Sequence, residues 1–408
     1  MPNEPRASVI IPSYNHAQYL PTAIESVLGQ TYRDFEVVIV DDGSTDGSLE
    51  VARSYAERHP SKVRVFTHPG HANRGISETV NYAFSLSRGE FLSGLPSDDM
   101  LYPDKLGRQV AYLDEHPEAG WVYSYADYVD DASRPLTHLG LFGKDITRDA
   151  EPLHRLIEGN VIPGMTVLMR RSCVEAVGDH DPALLYSDWE FWSRMLSRFR
   201  TGFIERPLVM YRIHDYNMSV GVENVENVRR GLAVLDSLKR KSAATGGGLA
   251  RPRTLALLEL QRAFHLFRLR EETEASESLR AAFDADSTLA RDHSFLARWL
   301  KARVRQLLMD YSAGAAERGF LSWFSRNLPP AAGGRAVRRT DAACHAMAAL
   351  ESNEGGAVGT PATAIRCLLH DASWMADEKF RLALFRNLAG PKLLGAAKRL
   401  RALTRGQR

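Results

Sequence analysis

Two adjacent carboxylates, Asp98 and Asp99, close the stretch Arg88-Gly89-Glu90-Phe91-Leu92-Ser93-Gly94-Leu95-Pro96-Ser97-Asp98-Asp99-Met100-Leu101-Tyr102-Pro103. A short apolar run bounded by Gly89 and Pro96 precedes them, which predicts a strand over 91–95 with the acids just past its C-terminal end. Open α/β sheets bind ligands at that edge. Carboxylates placed there suit a hard divalent ion such as Mg²⁺ or Mn²⁺, which keeps most of its waters and shares protein oxygens with a diphosphate. Aspartate is also a common turn residue, so a plain surface Asp-Asp turn is the alternative reading.

The elements that would position these acids repeat one pattern. Ala7-Ser8-Val9-Ile10-Ile11-Pro12 is a continuous apolar run stopped by a proline, as in a parallel strand buried on both faces, and Ser13-Tyr14-Asn15-His16 forms its loop. Strands are likewise predicted over 35–40 and 63–67, with helices over 21–30, 48–58 and 76–87. The second strand runs into Asp41-Asp42-Gly43-Ser44-Thr45-Asp46-Gly47-Ser48, where acids and small residues meet the cap of the next helix. Strand and helix alternating in this way predict a parallel sheet of nucleotide-binding type. Neither Gly-x-Gly-x-x-Gly nor Gly-x-x-x-x-Gly-Lys-Ser/Thr follows the first strand, so a diphosphate would need another holder, and a metal ion is the obvious one. Further on, 121–127 reads as a strand and 160–171 as a loop entering a strand over 166–169. Asp188 opens a helix whose Trp189, Trp192, Met195 and Leu196 can face the core, with Glu190 on another side of the turn.

A length of 408 residues allows two or more domains, 44% hydrophobic content fills ordinary cores, and a net charge of +2 excludes no partner class. The cysteines, Cys173, Cys344 and Cys367, are odd in number and lack metal-ligand spacing, which predicts reduced thiols in a cytoplasmic protein. A polar N-terminus and the lack of a bilayer-length apolar run predict neither export by a signal peptide nor an integral membrane protein.

Several ordered motifs carry a family resemblance: Val9-Ile10-Ile11-Pro12-Ser13-Tyr14-Asn15, Ser26-Val27-Leu28-Gly29-Gln30-Thr31-Tyr32, Val38-Ile39-Val40-Asp41-Asp42-Gly43-Ser44-Thr45-Asp46, and Gly89-Glu90-Phe91 followed by Ser97-Asp98-Asp99. Together they resemble the family 2 glycosyltransferases of the GT-A fold over about residues 8–219. The resemblance implies a Rossmann-like, mostly parallel sheet flanked by helices. It also implies a nucleotide cradle of Pro12, Tyr14, Asn15 and Asp42, in which Asp42 accepts a hydrogen bond from the base and Tyr14 packs beside it. Asp98 matches the metal-binding acid of the family's Asp-x-Asp signature, and Asp99 becomes a supporting acid or a contact to the donor sugar. The first acid of that signature would fall at Pro96 or Ser97, and neither replaces a carboxylate. This predicts weaker metal binding, with Ser97 making a hydrogen bond instead. Arg74 approaches the phosphates or is a solvated loop arginine.

Asp188 matches the general base of the family's acid-Asp-Trp/Tyr motif, with a helix N-cap as the bland reading and Glu190 as the reserve candidate. Ser187 stands where an acid often precedes it. Val209-Met210-Tyr211-Arg212-Ile213-His214 resembles the family's Tyr-Arg-x-His segment, in which His214 reaches the metal or the diphosphate and Arg212 supports the closing loop. A structural histidine is the alternative.

The composition changes after residue 219. Helices are predicted over 222–242, 253–272, 273–283 and 289–309, with Gly246-Gly247-Gly248 as a flexible linker. The resulting division is a catalytic domain over 1–219, an α-helical domain of open role over 220–378, and a basic amphipathic tail over 379–408. Such a tail fits an anionic membrane surface or a solvated helix on its own domain, while sparse aromatics argue against nucleic acid.

The combined expectation is a cytoplasmic enzyme, peripheral at the membrane if the tail binds there. It uses Mn²⁺ or Mg²⁺ to move a sugar from a nucleotide-sugar, UDP-linked by family habit, to a glycan or lipid-linked glycan in bacterial surface polysaccharide assembly. Two rivals remain: a sugar nucleotidyltransferase, which wants a basic Gly-rich first loop, and a non-catalytic subunit that binds nucleotide-sugar or glycan without turnover.

Overall fold

The computed structural model describes residues 4–214, 225–310, 320, 323–324 and 326–328. Four strands, β1 (Ala7–Ser13), β2 (Phe35–Asp41), β3 (Val63–Thr67) and β4 (Phe91–Gly94), pair in parallel in the order β3-β2-β1-β4. Every residue of β1 and β2 is buried, as expected for central strands covered on both faces. The crossovers are α1 (Leu20–Leu28), α2 (Ser48–Arg58) and α3 (Ile76–Leu86). Helix α1 opens with proline at its first turn and buries Leu20, Ala23, Ile24 and Val27 against the sheet. Gly89 admits no side chain: a Cβ there would lie 2.6 Å from the Ser8 nitrogen.

Beyond β4 the sheet becomes mixed. The next elements are β5 (Met100–Leu101), α4 (Lys105–Glu115), β6 (Ala119–Val129), β7 (Leu141–Phe142), α5 (Pro152–Ile157), β8 (Leu168–Arg170), α6 (Arg171–Val177), α7 (Ser187–Arg198) and β9 (Arg200–Arg212). Strand β8 runs antiparallel to both β4 and β6, β9 is parallel to β6, and β5 is antiparallel to β9. The strand expected over 166–169 begins later, because Gly164–Thr166 forms a 3-10 turn first.

Two helices, α8 (Val225–Thr245) and α9 (Pro252–Arg268), complete a compact unit that runs to Leu269; the second unit is Arg270–Arg408, with α10 (Glu272–Ala285) and α11 (His293–Asp310). The first unit therefore extends fifty residues past the boundary expected at 219. Its cause is packing: α8 lies on α7, α9 lies on α5 and α8, and His154 meets Thr254 at 3.1 Å. The expected linker Gly246-Gly247-Gly248 is likewise packed. Gly247 takes φ +56°, a Cβ on it would lie 2.5 Å from the Ser197 carbonyl oxygen, and Leu249 just after it is fully buried. Gly247 and Gly248 are required by close approach, and Gly246 by its positive φ of +66°, not by flexibility.

No helix among the described residues is long and apolar enough to cross a membrane. The basic tail over 379–408, Cys344, Cys367 and residues 215–219 lie outside the described residues.

Candidate active site

The parallel strands deliver their loops to one edge, and the two acids stand there. Asp98 and Asp99 are both buried, and so is Ser97 before them. Strand β9 brings Arg212 and His214 against them through its pairing with β5, where Met100 faces Met210. The Arg212 amide donates to Asp99 Oδ1 at 2.9 Å, and its Nε donates to the Asp98 carbonyl at 2.9 Å. Its Nη1 donates to the Asp131 carbonyl at 2.6 Å, so the buried guanidinium fastens the 130–131 loop to the acids. His214 Nε2 lies 3.0 Å from Asp98 Oδ2. Burial and the neighbouring Asp98 charge push the Asp99 carboxyl well above the usual carboxylate range.

The loop after β1 adds His16. Its Nδ1 is 2.8 Å from Ser97 Oγ, and its amide donates to Ser48 Oγ at 3.0 Å. Burial lowers the His16 pKa, which favours the neutral imidazole. Ligand atoms of His16, Asp98 and His214 all fall within 4.8 Å of one another. Tyr19 stacks on the His214 ring at 4.9 Å and hydrogen-bonds Asp131. Two imidazoles and a carboxylate in this space are a donor set that a divalent ion fits.

The expected nucleotide loop is partly occupied with its own architecture. Asn15 takes φ +52° and accepts from the Thr45 amide at 2.8 Å, while Pro12 is buried at the end of β1 and Tyr14 stands 48% exposed. Asp42 uses both carboxylate oxygens on loop amides, accepting from Arg74 N at 2.6 Å and Gly75 N at 2.9 Å. The acid expected to face a base thus holds the 71–75 loop, its side chain turned toward that loop's bare N–H groups. Arg74 is exposed. Asp41, not singled out from sequence, accepts from Ser44 N and pairs with His71 at 2.8 Å, yet its buried Oδ2 has no hydrogen-bond partner among the described residues.

Asp188 occupies the first turn of α7, but as the second helical residue; Tyr186 is the N-cap. The cap reading therefore fails on position. Its Oδ2 accepts from Asn160 Nδ2 at 2.9 Å and its Oδ1 from the Trp189 amide at 2.7 Å. Burial raises the carboxyl's pKa, with these two hydrogen bonds opposing. The group shares the edge of the acids through two ties. Gly164, whose Cβ position is 3.8 Å from Asp188 Oδ2, leads into β8, where the Val167 carbonyl accepts from Ser93 of β4 at 2.8 Å. Ser187 Oγ meets Ser77 Oγ at 2.7 Å at the start of α3.

Glu190 is elsewhere engaged. It is fully buried, bidentate to Arg194 at 2.8 and 3.0 Å, and 3.2 Å from Lys241 Nζ. Closed off from solvent and paired with two cations, the reserve candidate stands in a structural ion pair and is not open to an acceptor hydroxyl.

Comparison with known proteins decides the family. The model for glycosyl transferase family 2 matches residues 8–178. Over those residues, the chain belongs to glycosyl transferase family 2. An uncharacterised glycosyltransferase of Nostoc sp. is 33% identical over 52% of this chain and 66% of its own length. One from Rickettsia typhi is 31% identical over 52% of this chain and 65% of its own. The chain thus spans slightly less than two-thirds of the length of these two relatives. A crystal structure of S. aureus TarS shares 19% identity, covering 69% of this chain and 49% of that one, with a TM-score of 0.48.

In the family 2 domain, His16, Tyr19 and Asp131 were not singled out from sequence. Tyr19 and Asp131 carry no spacing signal, since they meet across 112 residues. His16 had one: it follows the Pro12-Ser13-Tyr14-Asn15 motif directly, in a chain whose acid loop lacks a first carboxylate.

Proposed function

We propose that the family 2 domain transfers a sugar, with inversion, from a nucleoside-diphosphate donor to a hydroxyl of a glycan or glycolipid acceptor. The observation that supports this reading best is a half-buried Asp188 carboxyl of raised pKa on the sheet edge that also holds Asp98 and His214. The acceptor oxygen attacks the anomeric carbon, the bond from that carbon to the diphosphate oxygen breaks, and the diphosphate leaves with the electron pair. Asp188 takes the acceptor's proton, and its raised pKa makes it a stronger base than an exposed aspartate. Asn160 fixes the carboxylate's orientation. Exposed Tyr14 offers a face for the base. A divalent ion, Mn²⁺ or Mg²⁺, held by Asp98 and His214 would offset charge on the departing diphosphate. Arg212 and Asp99 hold those two side chains in register.

UDP as the donor nucleotide, a lipid-linked acceptor and a place in bacterial surface polysaccharide assembly at the cytoplasmic face belong to the same proposal, resting on the family resemblance. The test is release of free nucleoside diphosphate from a panel of nucleotide-sugars, with Mn²⁺, Mg²⁺ or chelator. Slow metal-dependent release from one donor, lost in Asp98→Ala and Asp188→Ala, is the expected result. Donor binding without release, even with glycolipid acceptors supplied, would overturn it in favour of a non-catalytic subunit. Release of pyrophosphate would point to a nucleotidyltransferase.

A further inference from the structure

The family resemblance accounts for Asp98 and His214 but leaves His16 without a role. Its ring is held as a ligand's ring is held. Ser97 Oγ sits 2.8 Å from Nδ1, the kind of outer hydrogen bond that orients an imidazole and leaves its other nitrogen for an ion. The backbone of the same residue is pinned by Ser48 at 3.0 Å, so the loop as well as the ring is placed. Tyr19 backs the cluster, stacked on His214 at 4.9 Å and edge-on to His16 at 5.8 Å.

Geometry within the cluster points the same way. His214 Nε2 and Asp98 Oδ2 are 3.0 Å apart. Two ligand atoms, each about 2.1 Å from one ion and at right angles to each other, lie about 3.0 Å apart. His16 then supplies a third atom within 4.8 Å of both. Ser97 stands where the family signature offers one of its acids. We propose that His16 is a third ion-binding residue of this chain, made ready by Ser97, and that the resulting two-imidazole, one-carboxylate set selects Mn²⁺, Co²⁺ or Zn²⁺ over Mg²⁺. The chemistry follows from ligand type, since imidazole nitrogens suit these ions and Mg²⁺ favours oxygen. The inference rests on the proposed function only in that the site takes a divalent ion.

Calorimetric titration of the full chain with Mn²⁺, Co²⁺ and Mg²⁺, without donor, tests it separately from turnover. Wild type is expected to bind Mn²⁺ and Co²⁺ at least about tenfold more tightly than Mg²⁺. His16→Ala should lose about 10- to 100-fold in Co²⁺ affinity and shift the visible Co²⁺ absorption bands, while changing Mg²⁺ binding little. Ser97→Ala, which keeps the imidazole, should lose less. Circular dichroism checks that each variant is folded, and His16→Gln, which keeps a polar group facing Ser97, serves if His16→Ala is not. Unchanged Co²⁺ affinity and spectrum in the folded His16 variants would overturn the proposal, as would equal binding of Mg²⁺ and Mn²⁺, or no ion binding by wild type. Ion binding as expected in a protein that transfers no sugar would sink the transferase reading and leave this one standing.

Discussion

The Asp188 carboxylate is tuned by neighbours that act in opposite senses, and each can be removed. Burial raises its pKa, whereas the hydrogen bond from Asn160 stabilises the charged form and lowers it. Asp188→Asn keeps shape and loses the proton acceptor, so kcat should fall by about 10²- to 10⁴-fold with KM little changed. Asn160→Ala leaves the acceptor in place but raises its pKa further. The acidic limb of the kcat/KM profile should then move to higher pH; an unmoved limb in an active variant would mean that another group is the base. Asp98, His214 and Asp188 could be singled out in the sequence because each sits in an ordered motif; the structure adds the 3.0 Å contact of the first two, while their roles rest on the proposal. Asp42 was legible as important, but the loop amides it holds were not, since a motif names a residue and not the direction its side chain takes. Glu190 was misread for the same reason, its partners Arg194 and Lys241 being one turn away on α7 and on another helix altogether.

Among the elements, the parallel half of the sheet could be read almost to the residue, because fully buried strands appear as unbroken apolar runs. Strand β9 could not. It carries Glu205, Arg206 and Pro207 in its middle, and the register against β6 shifts there, with Tyr125 opposite Pro207. A proline and charges inside a run argue against a strand until a bulge is known to absorb them. The triple glycine was misread for the converse reason, since composition alone does not separate a flexible linker from a tight approach. Gly247→Ala distinguishes the two. Given its positive φ and a Cβ position 2.5 Å from the Ser197 oxygen, the substitution should destabilise the first unit by about 1–3 kcal/mol, read as a lowered urea midpoint. A linker glycine would accept alanine at no cost.

For the molecule as a whole, the compact unit ending at Leu269 sets where the chain can be shortened. A chain ended after Leu269 should melt cooperatively and keep its ion and donor binding, because α8 and α9 then still cover α5 and α7. One ended after Ser219 should melt lower and expose apolar surface to a hydrophobic dye, as the partners of Val228, Val234, Leu235 and Leu238 lose their cover. Equal melting of the two would refute the extended unit. The pairing of β5 with β9 bears also on the order of assembly in time. Ser8 and Glu36, on neighbouring strands of the parallel half, are 28 residues apart, whereas His214 and Asp98 are 116 apart. Closing the longer loop costs more chain entropy, and contacts of long sequence separation form slowly. After dilution from denaturant, the first half-sheet should therefore be protected from hydrogen exchange before the protein can hold an ion, so a newly made chain passes through a stage that is folded at its first strands and still without a working site.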